Sequence, residues 1–191
     1  HPDDREQVLQ EAQEHEAGNN DVFTIEHRLK TSDGRWKWTQ NWGRIIERDQ
    51  SGNPLRALGV HIDITDKKDA EKAKVKLVLE PLNIAVNHAG YYLYSSYEGY
   101  EILEKVNSPY VKLLFDVYHQ QITEGNIIQN IRDNIDYIGH FHIADVPGRQ
   151  EPGTGELNYL NIFKAIADTG YNRYVGCEFK PAGKTEEALK S

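Results

Sequence analysis

The sequence predicts an α/β protein built from two parts: a helix with three antiparallel strands, then four parallel strands that alternate with helices. Apolar and polar side chains alternate along three stretches between Phe23 and Ile64, as they do on the two faces of a strand. From Lys74 onward, short apolar runs alternate with helical patterns, which is typical of a parallel sheet. We therefore predict a boundary between residues 1–72 and residues 73–191.

Composition narrows the class of protein. The 191 residues carry a formal net charge of -8, which argues against a nucleic-acid partner because such binders usually have a basic face. No apolar run approaches the roughly 20 residues of a membrane-spanning helix, and no signal peptide opens the sequence. We therefore expect no membrane partner and a cytoplasmic location, which the single Cys177 also fits. The sequence has no Met even at position 1, which we interpret as a segment of a longer chain or as an engineered chain.

The first part begins with a predicted helix at 5–17, which acidic residues precede and Gly18 follows. Three predicted strands come next, joined by Gly-containing turns, at 23–30, 36–42 and 55–64. Trp36, Trp38 and Trp42 share one face of the middle strand. Aromatic residues at this period are more often core or sheet contacts than a stacking platform or ligand wall, so we predict packing.

Three motifs in the first part resemble the C-terminal half of a PAS sensory domain. They are His1-Pro2-Asp3-Asp4-Arg5, the stretch from Glu26 to Trp36, and Asp63-Ile64-Thr65. The resemblance implies a PAS-like helix plus a three-stranded antiparallel sheet. It also implies that the strands and short helices that wall the family's ligand cavity belong before residue 1, so we expect no haem, flavin or small metabolite here.

The second part contains four predicted strands and three predicted helices. The strands are placed at 75–80, 111–115, 138–144 and 174–178, and the helices at 98–106, 126–135 and 160–168. Four isoleucines in the middle helix recur at helical spacing, and we predict that they pack against the sheet: Ile127, Ile128, Ile131 and Ile135.

Each of the four strands carries a potential metal ligand at or near its end: Glu80, Asp116, His142 and Glu178. In a barrel of strand–helix units the C-terminal strand ends converge, so these side chains are expected to meet. Three carboxylates and one imidazole suit Mn²⁺, Mg²⁺ or Co²⁺ better than a structural zinc. One acidic residue at a strand end often only caps the next helix, but four potential ligands at the ends of successive strands favour a metal site.

The stretch 139–159 combines a strand with an unusual loop. His140 and His142 share one face of the strand, and five Gly or Pro residues then follow around Arg149. This arrangement is typical of a barrel enzyme that presents a ligand and an anion-holding group. The alternative is a core strand with one satisfied histidine and an ordinary loop. We assign His140 to packing or to support of His142.

Four motifs in the second part resemble the C-terminal half of a xylose-isomerase-like TIM barrel, closest to its hydroxypyruvate isomerase branch. They are Glu80-Pro81-Leu82-Asn83, the stretch 115–121, the stretch 139–159 and Gly176-Cys177-Glu178-Phe179. The resemblance implies half of a (β/α)8 barrel over residues 73–191. It implies that Glu80, Asp116, His142 and Glu178 bind one divalent metal ion. It further implies that Glu80 and Glu178 exchange the substrate proton, and that His119 and Arg149 hold substrate oxygens.

The implied reaction is the isomerisation of a small hydroxy-carbonyl substrate, hydroxypyruvate, to tartronate semialdehyde through an enediolate. A half-barrel leaves two open sheet edges, so we expect a homo-oligomer in which a second copy completes the barrel, and weak or absent activity otherwise. The alternative is a non-enzymatic chimera of two sequence halves with a sensory or structural role. A third hypothesis, a PAS sensor that regulates the isomerase, is weaker because each half lacks its partner half.

Overall fold

The protein is described by a computed structural model that covers residues 1–190. The chain divides into two compact units, one of residues His1–Ala73 and one that begins at Lys74. Among the helices of residues 1–190, none is long and apolar enough to cross a membrane.

The first unit is a helix followed by a three-stranded antiparallel sheet in the order β1-β2-β3. A short 3-10 turn at Pro2–Asp4 leads into the elements of this unit, which are α1 (Arg5–Glu16), β1 (Phe23–Lys30), β2 (Trp36–Arg48), β3 (Pro54–Asp63) and α2 (Thr65–Ala73). The register places His27 opposite Thr39, and both side chains are buried. The helix–strand order predicted for this part is confirmed.

The tryptophans of β2 do not lie in the core of the first unit. Trp36 and Trp42 are 43% and 45% exposed. Helix α1 lies against β1, and Ile25 and His27 on the opposite face are buried instead. Of the predicted core or sheet contacts, a core position is therefore wrong for Trp36 and Trp42. Strand alternation separates the two faces, but it does not say which of them a helix covers.

Asp4 joins the start of α1 to β1 through Arg28. Its carboxylate accepts hydrogen bonds from the Arg28 backbone N–H at 2.8 Å, from Nε at 2.9 Å and from Nη2 at 2.5 Å. The side-chain hydrogen bond from Arg28 is the main reason why the pKa of Asp4 falls from 3.8 to about 2. The folded form therefore prefers the ionised carboxylate, and the stabilisation is present above about pH 4 and lost as the pH falls towards 2.

We expect Asp4→Asn to lower the free energy of unfolding of the first unit by about 1–3 kcal/mol at pH 7, because hydrogen bonds to a charged group are lost. The difference from the parent chain should shrink as the pH is lowered from 5 to 2. Urea unfolding followed by tryptophan fluorescence measures this unit alone, since all three tryptophans lie in it. Asp3→Asn, at a more exposed carboxylate, is the control and should have little effect. Equal losses in the two variants at pH 7 would contradict the assignment.

The second unit is a parallel sheet with strands in chain order, β4-β5-β6-β7. Its strands are β4 (Leu77–Leu79), β5 (Val111–Asp116), β6 (Ile138–Ile143) and β7 (Val175–Cys177). Its helices are α3 (Ser96–Val106), α4 (Val117–Thr123), α5 (Ile127–Asn134), α6 (Tyr159–Asp168) and α7 (Thr185–Ala188). The predicted α/β fold class, a half-barrel of four parallel strands with helices, is confirmed.

The core of the second unit lies between the sheet and its helices. Leu113, Phe115 and Phe141 from the strands pack with Ile131 and Ile162 from the helices. Of the four isoleucines predicted to pack, Ile127 and Ile131 are buried, and Ile128 and Ile135 are partly buried against the same cluster. Burial of this face fixes the helices on the sheet and leaves the strand ends free to carry polar side chains.

The structure differs from the predicted elements in two respects that matter for the site. Strands β4 and β7 are shorter than predicted, so that Glu80 and Glu178 follow their strands directly. Helix α4 was not predicted. It begins directly after Asp116, whose carboxylate accepts the backbone N–H groups of Tyr118 at 2.8 Å and His119 at 3.3 Å. An aspartate at this position is a preferred helix N-cap.

Candidate metal centre

The structure brings together the four side chains that the sequence singled out as metal ligands. Glu80 follows β4, Asp116 ends β5, His142 lies in β6 and Glu178 follows β7. One ligand atom from each lies within 4.8 Å of the others. Nδ1 of His142 is 3.7 Å from Oε1 of Glu80 and 3.2 Å from Oε2 of Glu178. Neighbouring parallel strands end at one edge of the sheet, which is why residues far apart in sequence meet here.

Two atoms of this cluster are buried without a good hydrogen bond. Within the described residues, Oε1 of Glu80 and Nδ1 of His142 have no hydrogen-bond partner of acceptable geometry. A buried polar atom without a partner costs free energy, so a group that binds both atoms would stabilise the fold. Three carboxylates and one imidazole are ligands that Mg²⁺ and Mn²⁺ accept. The residues present therefore fit a divalent ion.

The carboxylates of the cluster are crowded. Burial raises the pKa of Asp116 from 3.8 to about 6, although the nearby Arg149 acts in the opposite direction. Burial also raises the pKa of Glu80, and the negative charges of Asp116 and Glu178 raise it further. Each shift records the free-energy cost of placing another negative charge here, and a cation reduces that cost.

Arg149 reaches the cluster from the loop after β6. Its Nη2 lies 2.5 Å from Oε2 of Glu178 and 3.5 Å from Oδ2 of Asp116, and the guanidinium lies 5.1 Å from the centre of the Tyr118 ring. Arg149 is thus within reach of a ligand bound beside Glu178, where the resemblance expects it to hold substrate oxygens.

His119 lies beside Asp116 of the cluster and is completely buried. Its Nδ1 is 3.2 Å from the backbone nitrogen of Asn83 and 2.6 Å from the side-chain Nδ2 of the same residue. Both are N–H donors, so Nδ1 is the acceptor and the proton of the neutral ring lies on Nε2. Nε2 has no hydrogen-bond partner among the described residues and is 3.7 Å from Oδ2 of Asp116. Burial, together with the charge of Arg149, lowers the pKa of His119 to about 4, so the ring is a neutral donor at pH 7.

Asn83 is a further functional candidate. It belongs to one of the sequence motifs, but the sequence by itself offers no reason to assign it a role. Its Oδ1 accepts the backbone N–H groups of Val86 and Asn87, both at 3.0 Å, while its Nδ2 holds His119. The available signal was its position, three residues after Glu80 in the turn that leaves β4. Only the structure shows that this turn lies against α4.

We expect Asn83→Asp to raise the pKa of His119 by more than about one unit, because a carboxylate beside Nδ1 favours the protonated ring. The variant keeps an oxygen that can accept the Val86 and Asn87 N–H groups, so the turn should survive. Nuclear magnetic resonance of the ring nitrogens against pH measures the shift. Asn107→Asp, at the exposed end of α3, is the control. An unchanged His119 pKa would show that Asn83 does not set the protonation of the ring.

Taken together, the fold and the cluster define a class: a parallel α/β barrel-type protein with a carboxylate–imidazole site at the carboxyl ends of its strands. Residues 66–191 match the profile of the xylose isomerase-like TIM barrel, and the chain belongs to this family. Residues 1–61 match the profile of the PAS fold. Both parts of the architecture expected from the sequence are confirmed.

Curated relatives and a solved structure agree with the family assignment. A putative hydroxypyruvate isomerase from Xenopus laevis is 44% identical over 113 residues, which are 59% of this chain and 41% of the relative. Hydroxypyruvate isomerase from Escherichia coli K12 is 39% identical over 119 residues, 62% of this chain and 46% of the relative. An AP endonuclease family 2 structure from Brucella melitensis is 37% identical with a TM-score of 0.62, covering 64% of this chain and 47% of that one. The chain spans less than half the length of each.

Proposed function

We propose that the second unit is the catalytic half of a divalent-metal-dependent isomerase of the aldose–ketose type, which converts hydroxypyruvate to tartronate semialdehyde through an enediolate. The observation that carries this proposal is the meeting of Glu80, Asp116, His142 and Glu178 within 4.8 Å at the strand ends. The hydroxypyruvate isomerases among the relatives support the choice of substrate. Location in the cytoplasm stays a prediction from the sequence.

Glu80 and Glu178 are the proposed proton-exchanging groups. Moving a carbonyl group along the substrate requires a base that removes a proton from one carbon and an acid that returns it to the next. Glu80 and Glu178 both lie beside Nδ1 of His142, at 3.7 Å and 3.2 Å, and the raised pKa of Glu80 lets it hold a proton closer to neutral pH. A divalent ion held by the four ligands would act as a Lewis acid on the hydroxyl and carbonyl oxygens.

His119 and Arg149 are the proposed substrate-holding residues. The Nε2–H of His119 lies at the buried side of the cluster and is free to donate to a substrate oxygen. The guanidinium of Arg149 lies at its more open side, where the Glu178 side chain is 48% exposed. A substrate between them would have a neutral donor on one side and a cation on the other.

A homo-oligomer is the proposed form of the active protein. Strands β4 and β7 lie at the two ends of the sheet order, and unpaired edge strands favour association with another chain. Val78 of β4 and Tyr174 beside β7 are also exposed. We propose that a second copy of this unit covers these edges. Size in solution together with bound Mn²⁺ tests this, and a monomer that binds no Mn²⁺ at micromolar concentrations would contradict it.

The direct test of the proposed activity is the conversion of hydroxypyruvate, followed by proton magnetic resonance with Mn²⁺ and with a chelator. We expect conversion with Mn²⁺ and none with the chelator, at a low rate unless the barrel is completed. No conversion in any oligomeric fraction would remove the enzyme proposal. It would favour the alternative, a non-enzymatic chimera with a sensory or structural role, which the match of residues 1–61 to the PAS fold supports.

A further inference from the structure

The ring of Tyr118 contacts both of the side chains that are proposed to hold the substrate. Its centre is 5.1 Å from the guanidinium carbon of Arg149, which lies over the ring. It is also 5.2 Å from the centre of the His119 ring, with an angle of 71° between the two ring planes. A cation over an aromatic face and an edge-to-face pair of rings are both attractive arrangements. Because Tyr118 is only 3% exposed, its position constrains the positions of both neighbours.

The Tyr118 hydroxyl is held by Asn87, in the turn that leaves β4. It donates a hydrogen bond to Oδ1 of Asn87 at 2.8 Å, across 31 residues of sequence. The same turn holds the next residue of α4, since Nδ2 of Asn83 donates to Nδ1 of His119 at 2.6 Å. Two consecutive side chains at the start of α4 are therefore each bound by an asparagine of one turn.

The two asparagines are also bound to each other. The backbone N–H of Asn87 donates to Oδ1 of Asn83 at 3.0 Å, and Oδ1 of Asn87 lies 3.4 Å from Nδ2 of Asn83. Buried side-chain networks of this kind rigidify a structure when their members are satisfied. A displacement of Asn87 therefore reaches Tyr118 directly and reaches His119 through Asn83.

We infer that Asn87 and Tyr118 are positioning residues, and that the hydrogen bond between them fixes the Arg149 guanidinium and the His119 ring relative to each other. The inference rests on the proposed function, in which these two groups hold one substrate. Groups that are ordered before a ligand arrives lose less conformational entropy when it binds, so the hydrogen bond strengthens substrate binding without contacting the substrate.

The test removes this hydrogen bond from each side in the full chain. Tyr118→Phe keeps the ring and deletes the hydroxyl, whereas Asn87→Ala deletes the acceptor. We expect each change to raise KM for hydroxypyruvate about 3- to 10-fold, the effect of one net hydrogen bond, and to change kcat less than about twofold. Because both changes remove the same bond, KM of the double variant should lie within about twofold of that of the single variants.

The Nε–H signal of Arg149 in nuclear magnetic resonance is a second readout, which does not require turnover. A proton over an aromatic ring is shifted upfield, and the signal is identified by its loss in Arg149→Gln. It is measured without Mn²⁺, whose unpaired electrons broaden nearby signals. We expect the signal to move towards that of an exposed arginine in Tyr118→Phe and in Asn87→Ala. A purely structural role would lower the free energy of unfolding without moving it.

Tyr137→Phe is the matched control, because it removes a hydroxyl that donates to Oε1 of Glu104 at 2.7 Å in an exposed hydrogen bond of the same unit. It should leave KM and the Arg149 signal as they are in the parent chain. An unmoved Arg149 signal in Tyr118→Phe and Asn87→Ala, or KM effects that add in the double variant, would overturn the inference. Absence of hydroxypyruvate conversion in the parent chain would instead contradict the proposed function, and the Arg149 signal would then decide whether Asn87 and Tyr118 set this geometry.

Discussion

Glu178→Gln and Glu80→Gln are each expected to lower the rate of hydroxypyruvate isomerisation by roughly 10²–10⁴-fold, the usual contribution of a positioned acid or base. Glutamine keeps the size of the side chain and one oxygen that can ligate a metal ion, but it cannot accept the substrate proton. Glu80 and Glu178 both lie beside His142, at 3.7 Å and 3.2 Å respectively from its Nδ1, so both changes act at the same cluster.

Exchange of the substrate's carbon-bound protons with deuterium from solvent is the more sensitive measurement, because it requires only proton removal and not a completed turnover. It is measured by proton magnetic resonance beside the conversion itself, with bound Mn²⁺ determined in each sample. Glu101→Gln, an exposed change on α3, is the control. If either variant at the site exchanges protons as fast as the parent with Mn²⁺ bound, that glutamate is not a proton-exchanging group.

Asp145→Ala is expected to destabilise the second unit by about 3 kcal/mol or more and to displace Arg149. The Asp145 carboxylate is completely buried and accepts backbone N–H groups from Val146 at 2.8 Å, Gly153 at 2.8 Å and Leu157 at 3.1 Å. Alanine leaves these three donors without their acceptor, and each unsatisfied buried donor costs about 1–3 kcal/mol. The loop that carries Arg149 would lose the acceptor to which three of its backbone N–H groups bind.

Urea unfolding followed by tyrosine circular dichroism measures this loss, since all 11 tyrosines lie in the second unit. Asp136→Ala, at an exposed aspartate of the same unit, is the control. Gly155→Ala provides an independent check of the same loop, because a Cβ there would lie 2.1 Å from the Val146 carbonyl oxygen and 2.6 Å from the Asp145 carboxylate. Asp145→Ala as stable as Asp136→Ala would show that the carboxylate does not organise the loop.

Much of the fold could be predicted because the signals are local. The alternation along β1 and β2 and the helical spacing of Ile127 and Ile131 depend on residues a few positions apart. The ends of the strands were predicted less exactly, since β4 and β7 have only three residues each. The buried face of the first sheet was predicted wrongly at Trp36 and Trp42, because periodicity defines two faces without saying which one α1 covers.

The candidate site also has a part that the sequence predicts and a part that it does not. Glu80, Asp116 and Glu178 were found because acidic residues recur at the ends of successive strands, and parallel strands bring their ends together. The protonation of His119 could not be predicted, since it depends on Asn83, a contact across 36 residues.

The sequence by itself determined the order of elements, the two parts of the chain and the residue types at the strand ends, because these depend on short-range periodicity and spacing. Only the tertiary structure decided that the Asn83 turn holds the His119 ring and that Arg149 contacts Glu178 and Asp116. Those contacts depend on the left-handed backbone of Arg149 and on the buried carboxylate of Asp145, which shape a loop without any repeating pattern. Loop geometry is set by long-range hydrogen bonds, and no spacing along the chain records it.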